Sequence, residues 1–422
     1  MTDTTAVRHQ SIDAVRGFAV LGILLMNIVG MGMPTFAYVD PTYYGDLTGA
    51  NFWAWAINFV VTDGKMRALF TMLFGASMLL IADRAEGRKP GPAETHYRRL
   101  FWLLIIGFLH AYLLFFGDIL VCYAIAGAIA FPFRKLGART LIVLGTVILL
   151  ALLTKGVVEG EHIKALQAAA ASGAATPAQA AQWQELQLFL DAPKSTAQEE
   201  IAWMQRDFFS ALKSRMRAAI IVQLGYLPLD AIPEAVGQML IGAGLFRLGF
   251  FTLRWSSRAY AAMIAVGYGL GVPAMVWLCW STVQADFEAV RQHWFFVWTA
   301  APRPLVALAH ASVLMLVIRS GALKVLVNRL EAAGRMAFSN YLMTSIITTF
   351  VFCGFGLGLY GELERHQLYY VVAGVWAFIL LWSRPWLAAF QYGPFEWVWR
   401  SLVMWKPQLF LRRAARATEP TT

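Results

Sequence analysis

The sequence predicts an all-α, polytopic membrane protein with about ten transmembrane helices and with both termini in the cytoplasm. Its 422 residues are 59% hydrophobic and 14% charged, and the mean hydropathy is +0.56. Soluble domains carry about 25% charged residues, so this composition is typical of a chain that crosses a bilayer repeatedly. Apolar runs of spanning length recur along the chain, and positive charges gather in alternate loops between them.

A spanning helix needs about 20 mostly apolar residues. By that measure, the sequence predicts ten spans, at residues 14–33, 66–82, 100–116, 119–134, 139–155, 231–250, 259–280, 294–318, 336–359 and 367–383. The third and fourth are joined at Gly117-Asp118, which predicts a tight hairpin. A weaker apolar segment, 52–61, is expected to lie in the interface or to extend the second span.

Lysine and arginine residues mark alternate short loops, at 84–99, 134–139, 247–258 and 319–335, and the remaining short loops carry Asp and Glu instead. This asymmetry predicts that the basic loops and both termini are cytoplasmic. The formal net charge of +10 is therefore interpreted as a topology signal and as contact with membrane lipids, and no nucleic-acid partner is expected. The first apolar run is long enough to be an uncleaved span rather than a removed signal peptide.

We expect four parts along the chain. An N-terminal half with five spans covers 1–155, an external helical insertion covers 156–217, a C-terminal half with five spans and an interfacial tail covers 218–411, and a disordered tail covers 412–422. The insertion is either a lid or a passive surface hairpin. Two segments, LFGASMLLIADR and LIGAGLFRLGFF, resemble each other weakly, which fits a duplicated motif for close helix packing.

His110 is the first candidate for catalysis. It lies ten residues beyond the predicted start of the third span, which places it near mid-membrane at about 1.5 Å per residue. A neutral imidazole there either bonds a neighbouring helix or acts as a general base. Asp118, at the hairpin turn, either orients an imidazole or caps the next helix. The two need not touch. His310, in the eighth predicted span, is an alternative base.

Other polar residues have a structural and a functional interpretation. Arg16 is either a cytoplasmic anchor or part of an anion site, and Asn27, in the same span, could line a cavity. Asp63 and Arg67 lie at the outer start of the second span, where they either snorkel to the surface or mark a substrate entrance. Asn340 belongs to a polar stretch with Ser339, Thr344 and Ser345, in which packing competes with a role in binding.

Known chemical motifs are missing. The sequence contains no Walker loop, HExxH or GxSxG motif. Its three cysteines are single residues inside apolar runs, so they predict neither a disulfide framework nor a metal cluster, and no metal is expected.

Five segments together resemble the YeiB-like family of membrane proteins. They follow in family order from residue 8 to about residue 401 and are RHQSIDAVRGFAVLGILLMNI, DGKMRALFTMLFGAS, GFLHAYLLFFGDILVCYAIAG, GRMAFSNYL and YGPFEWVWRS. That family is similar to a wider set of transmembrane acyltransferases, which includes the lysosomal heparan-alpha-glucosaminide N-acetyltransferase. The resemblance implies that an acyl-CoA binds from the cytoplasm and that its acyl group is delivered to an acceptor across the bilayer.

Under this hypothesis, acetyl-CoA or another acyl-CoA is the co-substrate, and Arg16, Arg98, Arg99 and Arg335 are the candidates for binding its phosphates. His110 would deprotonate the acceptor with the help of Asp118, and Asn27 or Asn340 would polarise the acyl carbonyl. The resembled heparan enzyme has its catalytic histidine in the first external loop. Residues 34–65 of this chain contain no histidine, so His110 would take that role.

Two other classes of function stay open at this point. The same polar groups could line the pathway of a small-molecule or anion transporter, with His110 as a proton-coupled site, or the protein could be a non-catalytic membrane protein. The expected location is the bacterial cytoplasmic (inner) membrane. The acceptor is a glycan, a lipid or a small molecule, and a homodimer is one option for the assembly.

Overall fold

A computed structural model of the chain describes residues 10–190 and 192–412, and within these ranges the regular structure is helical, with one isolated β-bridge between Phe390 and Leu411. The predicted disordered tail falls on residues outside the described ones, except for Arg412. The α-helices are α1 Gln10–Gly32, α2 Gly49–Val61, α3 Lys65–Ala85, α4 Pro92–Leu113, α5 Leu120–Ala130, α6 Ala138–Ser172, α7 Pro177–Leu190, α8 Ser195–Arg206, α9 Phe208–Ile221, α10 Ile232–Arg247, α11 Ser257–Val266, α12 Val272–Gln284, α13 Ala289–Thr299, α14 Pro302–Ser320, α15 Lys324–Arg335, α16 Ala337–Phe352, α17 Leu368–Ala389 and α18 Pro394–Met404.

Wide π-helical turns join two pairs of these helices. Val222–Ala231 connects α9 to α10 around Pro228, and Gly267–Gly271 connects α11 to α12 just before Pro273. Proline lacks the N–H group that an α-helical turn needs, which accounts for the changed hydrogen-bond pattern at both places. Each pair therefore forms one long membrane-crossing segment.

The all-α membrane architecture is confirmed. Among the described residues, seven helical segments are long and apolar enough to cross a membrane: Gln10–Gly32, Gly49–Ala85, Ala138–Ser172, Phe208–Arg247, Ser257–Gln284, Pro302–Ser320 and Leu368–Ala389. The count of ten spans and the cytoplasmic position of the termini stay predictions.

Several predicted boundaries differ from the helices observed. The third predicted span begins eight residues late, because α4 already starts at Pro92. The segment 294–318 is two helices, α13 and α14, because Pro302 starts a new helix. The predicted boundary between residues 217 and 218 falls inside the continuous segment Phe208–Arg247, so the insertion runs directly into a spanning helix.

The core is built around α1. Within its most apolar window, 78% of α1 is buried inside the protein, compared with 11% of α6. A helix that is buried all round must be surrounded by other helices, whereas one that leaves most of its apolar surface uncovered is expected to face lipid. The first helix is therefore central and α6 is peripheral.

Glycines bring helices of the two halves into backbone contact. A Cβ added to Gly75 of α3 would lie 1.9 Å from the Met239 carbonyl oxygen, and one added to Gly242 of α10 would lie 2.0 Å from the Met72 carbonyl oxygen. The two helices therefore pack through reciprocal glycines, as small residues allow in membranes. These glycines belong to the two segments whose weak similarity indicated a packing motif, and the two segments pack against each other.

Helix α8, in the C-terminal part of the insertion, is hydrogen-bonded to the rest of the protein. The Glu200 carboxylate of α8 accepts hydrogen bonds from the Thr35 N–H group and from the hydroxyls of Thr35 and Tyr360. The Met204 carbonyl accepts a further bond, at 2.9 Å, from the Gly354 N–H group. The loop after α1, helix α8 and the loop after α16 are thus joined by hydrogen bonds.

Candidate functional site

The site begins at the hairpin of α4 and α5, where the helices approach closely. A Cβ on Gly107 would lie 2.7 Å from the Val121 backbone nitrogen, so only glycine allows this spacing. His110 follows Gly107 by three residues and occupies the last turn of α4, further along the helix than the sequence predicted. Asp118 lies in the short connection before α5. This close helix packing therefore brings the His110 imidazole next to the Asp118 carboxylate.

His110 bonds two side chains at once. Its Nδ1 atom lies 2.6 Å from Asp118 Oδ2, and its Nε2 atom lies 2.8 Å from Ser345 Oγ. The three residues are 2%, 7% and 1% exposed, respectively, so water does not compete for these bonds. The sequence left open whether His110 and Asp118 touch; in the structure they form a buried hydrogen bond, and Ser345 of α16 completes the array.

The array fixes the direction of its hydrogen bonds. An ionised carboxylate only accepts, so Nδ1 of His110 must carry a proton and donate it to Asp118. In the neutral imidazole Nε2 then has a free lone pair, which accepts the hydroxyl hydrogen of Ser345. This order of serine, histidine and aspartate is the arrangement in which an imidazole can take a proton from a serine hydroxyl as that oxygen attacks.

Asp118 also serves the helix that follows it. Its Oδ1 atom accepts a bond of 2.8 Å from the Val121 N–H group, in the first turn of α5. Capping and orientation of the imidazole were alternatives at the level of sequence. In the structure, Oδ1 of Asp118 caps α5 and Oδ2 bonds the imidazole. Because the helix cap holds the carboxylate in place, the imidazole is held in one orientation.

Two further polar groups lie on helices that bound the array. The Tyr341 ring, one turn before Ser345 on α16, lies 4.9 Å from the His110 ring, and its hydroxyl accepts a bond of 3.4 Å from the Ile119 N–H group. That bond leaves the hydroxyl hydrogen of Tyr341 available for another acceptor. Asn27 of α1 is half-buried and makes no hydrogen bond to the described part of the chain. It precedes Gly30, which packs against Phe116 of the hairpin connection.

The four predicted phosphate-binding arginines are only partly brought together. Arg16 and Arg400 lie close enough to Arg99 for their positive charges to act on it, so the three residues form one positive region. Arg16 also bonds Asp13 at 2.7 Å, and the Arg99 guanidinium covers the Trp399 ring at 4.2 Å.

The other two arginines differ from this pair. Arg98 pairs with Glu94 on the exposed face of α4, away from the positive region's buried part. Arg335 is half-buried at the end of α15. Its neighbour Gly334 lies against Asp13 and Gly17 of α1, in the helix turn that carries Arg16. The four-arginine site stays a prediction.

Asp63 and Arg67 lie in a separate polar region. The Tyr38 hydroxyl donates to Asp63 at 2.8 Å, and Arg67 pairs with Glu234 at 3.0 Å. Asp63 and Tyr38 line a small cavity together with aromatic, aliphatic and polar residues. Burial raises the pKa of the Tyr38 hydroxyl well above its ordinary value, and the adjacent Asp63 carboxylate raises it further. The hydroxyl therefore stays a hydrogen-bond donor.

Asn340 and His310 have their polar atoms engaged elsewhere. The Asn340 amide donates to the Ala333 carbonyl at 3.0 Å and to Ser383 Oγ at 3.2 Å, and its oxygen accepts from Trp382. Both ring nitrogens of His310 are bonded as well, to the Tyr268 hydroxyl and to the Val61 carbonyl. Asn340 thus joins neighbouring helices, which is the packing role that competed with a binding role.

A second, small cavity lies next to the array. It is lined by Leu114 and Phe115, which follow His110, and by Thr348, one turn after Ser345 on α16. The Thr348 hydroxyl donates to the Ser345 carbonyl at 3.3 Å, so this wall of the cavity is continuous with the array. Residues of α8 and α9 close the other side of the cavity.

Ser345 and Tyr341 were not selected as site residues from the sequence. Ser345 was grouped with the small hydroxyl residues that favour helix packing, and nothing local distinguishes it from Ser339 or Thr344. Helical spacing offered one usable signal, since Tyr341 and Ser345 are four residues apart and share a face of α16. Only the packing of α16 against the hairpin shows that this face meets His110.

The fold and this site define a multi-pass α-helical membrane protein with a buried serine–histidine–aspartate array. The chain belongs to the YeiB-like family. It is 31% identical to the uncharacterised protein YeiB of Escherichia coli (strain K12), over 98% of this chain and 99% of that protein. It is also 26% identical to the uncharacterised protein YxaH of Bacillus subtilis (strain 168), over 94% of each chain.

The family model described as "Protein of unknown function (DUF418)" matches residues 245–406, which include Ser345 but not His110 or Asp118. An uncharacterised 39.9 kDa protein in the amylase 3′ region of Bacillus acidopullulyticus is 23% identical over 94% of this chain and 93% of that protein. No solved structure matches the chain.

Proposed function

We propose that this protein is a membrane-embedded acyltransferase that moves an acyl group from acyl-CoA to an acceptor bound inside the helix bundle. The observation that carries the proposal is the buried array in which His110 bonds both Asp118 and Ser345. A bond to a carboxylate on one side and to a hydroxyl on the other prepares an imidazole for proton transfer. Buried ionisable groups at membrane depth are costly, so they favour a functional role.

The chemistry has two balanced steps. In the first, Nε2 of His110 takes the Ser345 hydroxyl proton while Oγ attacks the thioester carbonyl. The carbon–sulfur bond breaks, the acyl group stays on Ser345, and the proton passes to the departing CoA thiolate. In the second step, Nε2 of His110 takes a proton from the acceptor hydroxyl or amine while that group attacks the acyl carbon. The bond between the acyl carbon and Oγ breaks, and His110 returns the proton to Ser345 Oγ. Asp118 stabilises the imidazolium in both steps.

Charge develops on the acyl oxygen in each step, and a fixed donor nearby would lower the barrier. The Tyr341 hydroxyl is suited to this role because its hydrogen is uncommitted and its ring lies against the His110 ring. Asn27 is the second candidate, since its amide is half-buried and makes no hydrogen bond to the described residues. Asn340 is less suited, because its amide is held by three other helical partners.

The donor would bind at the end of the bundle that is predicted to be cytoplasmic, with its phosphates at the positive region of Arg16 and Arg99. Eleven residues of α4 separate Arg99 from His110, which at about 1.5 Å per residue is roughly 16 Å along the helix. The long pantetheine arm of CoA suits such a separation. The proposed setting is the bacterial inner membrane, with lipids around the bundle.

The test is to incubate the purified protein in nanodiscs with acetyl-CoA and to follow two signals: binding by titration, and acetylation of Ser345 by mass spectrometry. Wild-type protein should bind acetyl-CoA and show acetyl-Ser345, whereas Ser345→Ala should bind without acetylation. Ser312→Ala is the matched control, because Ser312 is a buried helix serine whose hydroxyl has no hydrogen-bond partner in the described structure. Absence of acetyl-CoA binding at millimolar concentration would overturn the proposal.

A further inference from the structure

Arg215 of α9 is a buried cation with unused hydrogen-bonding capacity. The residue is 4% exposed, and its Nη1 atom donates to the sulfur of Cys353 at 3.3 Å. Its Nε and Nη2 atoms are buried and contact no acceptor among the described residues. A neutral thiol is a weak acceptor, so the guanidinium is neither neutralised nor satisfied by the protein around it.

Among the described residues, no carboxylate is paired with this cation. No carboxylate of the described residues lies within 4.0 Å of the Arg215 guanidinium. Glu200 lines the same cavity, but its oxygens are bonded to Thr35 and to the Tyr360 hydroxyl. Burial of an unpaired charge is strongly unfavourable, whereas a buried charge with a hydrogen-bonded partner is tolerated. The arrangement therefore favours an anion that comes from outside the chain.

The position of Arg215 connects it to the catalytic array. Arg215 lines the second cavity together with Thr348, one turn from Ser345, and Leu114, one turn from His110. Small-molecule sites commonly combine an apolar lining with a few polar groups. Phe115, Phe116 and Met204 supply the apolar lining here. A ligand held at Arg215 would thus reach toward His110.

We infer that the acceptor substrate carries a carboxylate or a phosphate that binds Arg215, with a hydroxyl or amine on the same molecule directed at His110 and Ser345. The identification of this ligand as the acceptor rests on the proposed function, whereas its binding does not. The guanidinium offers Nε and Nη2 as two adjacent donors, which match the two oxygens of such an anion. The acceptor is therefore a small anionic alcohol or amine, or the headgroup of an anionic lipid.

The experiment measures binding without an acyl donor. Purified protein in detergent is titrated with glycerol 3-phosphate and lactate, and with glycerol as the uncharged control, while thermal unfolding is followed. A second arm compares nanodiscs of phosphatidylcholine with nanodiscs that contain phosphatidylglycerol. A response to the free anions identifies a soluble acceptor, and a response to phosphatidylglycerol alone identifies a lipid headgroup. Either response supports the inference, and no response in any arm overturns it.

The variants separate this site from the rest of the protein. Arg215→Gln should weaken anion binding by about 100-fold, as expected for loss of one partner of a buried charge pair. Arg217→Gln is the matched control: Arg217 lies two residues away in α9, is exposed and stacks on Trp203 at 4.3 Å, so binding should be unchanged. Equal binding by Arg215→Gln and wild type would overturn the inference.

Stability without ligand gives an independent result. Arg215→Met keeps the length of the side chain and removes the unpaired charge, so its unfolding temperature in the absence of anion should equal or exceed that of wild type. A clear loss of stability would show that Arg215 serves the fold instead, and would overturn the inference. His110→Gln should retain anion binding, so failure of the catalytic proposal would leave this result in place.

Discussion

His110 Nε2 and Ser345 Oγ lie 2.8 Å apart although 235 residues separate them in the chain. The imidazole comes from the end of α4 in the N-terminal half, and the hydroxyl comes from the middle of α16 in the C-terminal half. Neither half can form the array alone. The site therefore exists only when the bundle is fully assembled, which makes its activity a sensitive measure of the packing between α4 and α16.

The first prediction concerns the nucleophile. Ser345→Ala should reduce acyl transfer by at least about 100-fold, because the covalent step loses its attacking oxygen. The free energy of unfolding should fall by about 1–3 kcal/mol, since the buried Nε2 atom of His110 loses its hydrogen-bond donor. The rate of acyl-CoA consumption in nanodiscs is the measurement.

A double variant tests whether the two residues act together. His110→Gln combined with Ser345→Ala should be no slower than Ser345→Ala alone, because the effects of residues that act as one unit are not additive. Additive losses would contradict a shared role.

The second prediction concerns the carboxylate. Asp118→Asn keeps the size of the side chain but offers Nδ1 of His110 an amide, so the imidazole can adopt the tautomer that no longer accepts from Ser345. Turnover should fall by about 10²–10⁴-fold, the range associated with general base catalysis. The bond to the Val121 N–H group can persist through the amide oxygen, so α5 should stay folded. Activity close to wild type would show that Asp118 only caps the helix.

The third prediction distinguishes two neighbouring arginines. Arg99→Gln should raise the Kd for acetyl-CoA by about 10- to 150-fold, since a charge-assisted bond to phosphate contributes roughly 1.5–3 kcal/mol. Arg98→Gln should change it by less than about twofold, because Arg98 pairs with Glu94 on the exposed face of α4. Isothermal titration on both variants, at equal ionic strength, makes the comparison. Equal effects would indicate a nonspecific attraction between CoA and a basic surface.

The fourth prediction tests the glycine contact between α3 and α10. Gly75→Ala places a methyl group against the Met239 carbonyl and should lower the free energy of unfolding by about 1–3 kcal/mol. Gly374→Ala in α17 is the control, because a Cβ there meets nothing within 4 Å. It should be neutral or slightly stabilising, since alanine is favoured over glycine inside a helix. Thermal unfolding in one detergent compares the two, and equal losses would refute close packing at Gly75.

The fifth prediction concerns pH. The Glu396 carboxylate of α18 accepts hydrogen bonds from the N–H groups of Phe338 and Ser339, and burial raises its pKa above the ordinary carboxyl value despite these donors. The folded protein then holds this proton more tightly than the unfolded chain does. Its free energy of unfolding should therefore fall as pH rises from about 4.3, the ordinary value for Glu, through the raised pKa.

Glu396→Gln removes the titrating group, so the unfolding temperature of this variant should not show the decrease that this carboxyl group causes as pH rises. The difference between wild type and Glu396→Gln, measured across mildly acidic to neutral pH, should favour wild type most at the acidic end. Parallel curves for the two proteins would contradict the expected direction of the pKa shift.

Much of the fold follows from local composition. Apolar length and the low charge predicted the membrane helices, and helix α1 was found within four residues of its predicted start. Errors arose where proline or glycine interrupts an apolar run, as at Pro302, because hydropathy does not register a backbone break. The early start of α4 at Pro92 was missed because its first turns are polar.

The site was only half predictable. His110 and Asp118 were visible as polar residues in an apolar hairpin, and the resemblance to the family made them stronger candidates for site residues. Their contact was not visible, because it depends on the glycine at position 107 and on the path of the turn. Ser345 needed knowledge of which face of α16 meets the hairpin, and Arg215 needed knowledge that no carboxylate approaches it. Such information lies in long-range packing, beyond any local pattern.

The reciprocal contact between Gly75 and Gly242 bears on motion. Transporters that alternate access commonly rock one repeat or helix bundle against another about a central site. Here, α3 and α10 touch backbone to backbone at the junction of the two halves, and sliding one past the other would drive main-chain atoms into each other. The close backbone contact therefore opposes sliding of α3 along α10. Substrates would then be exchanged by movement of short segments around the cavities, with the bundle itself standing still.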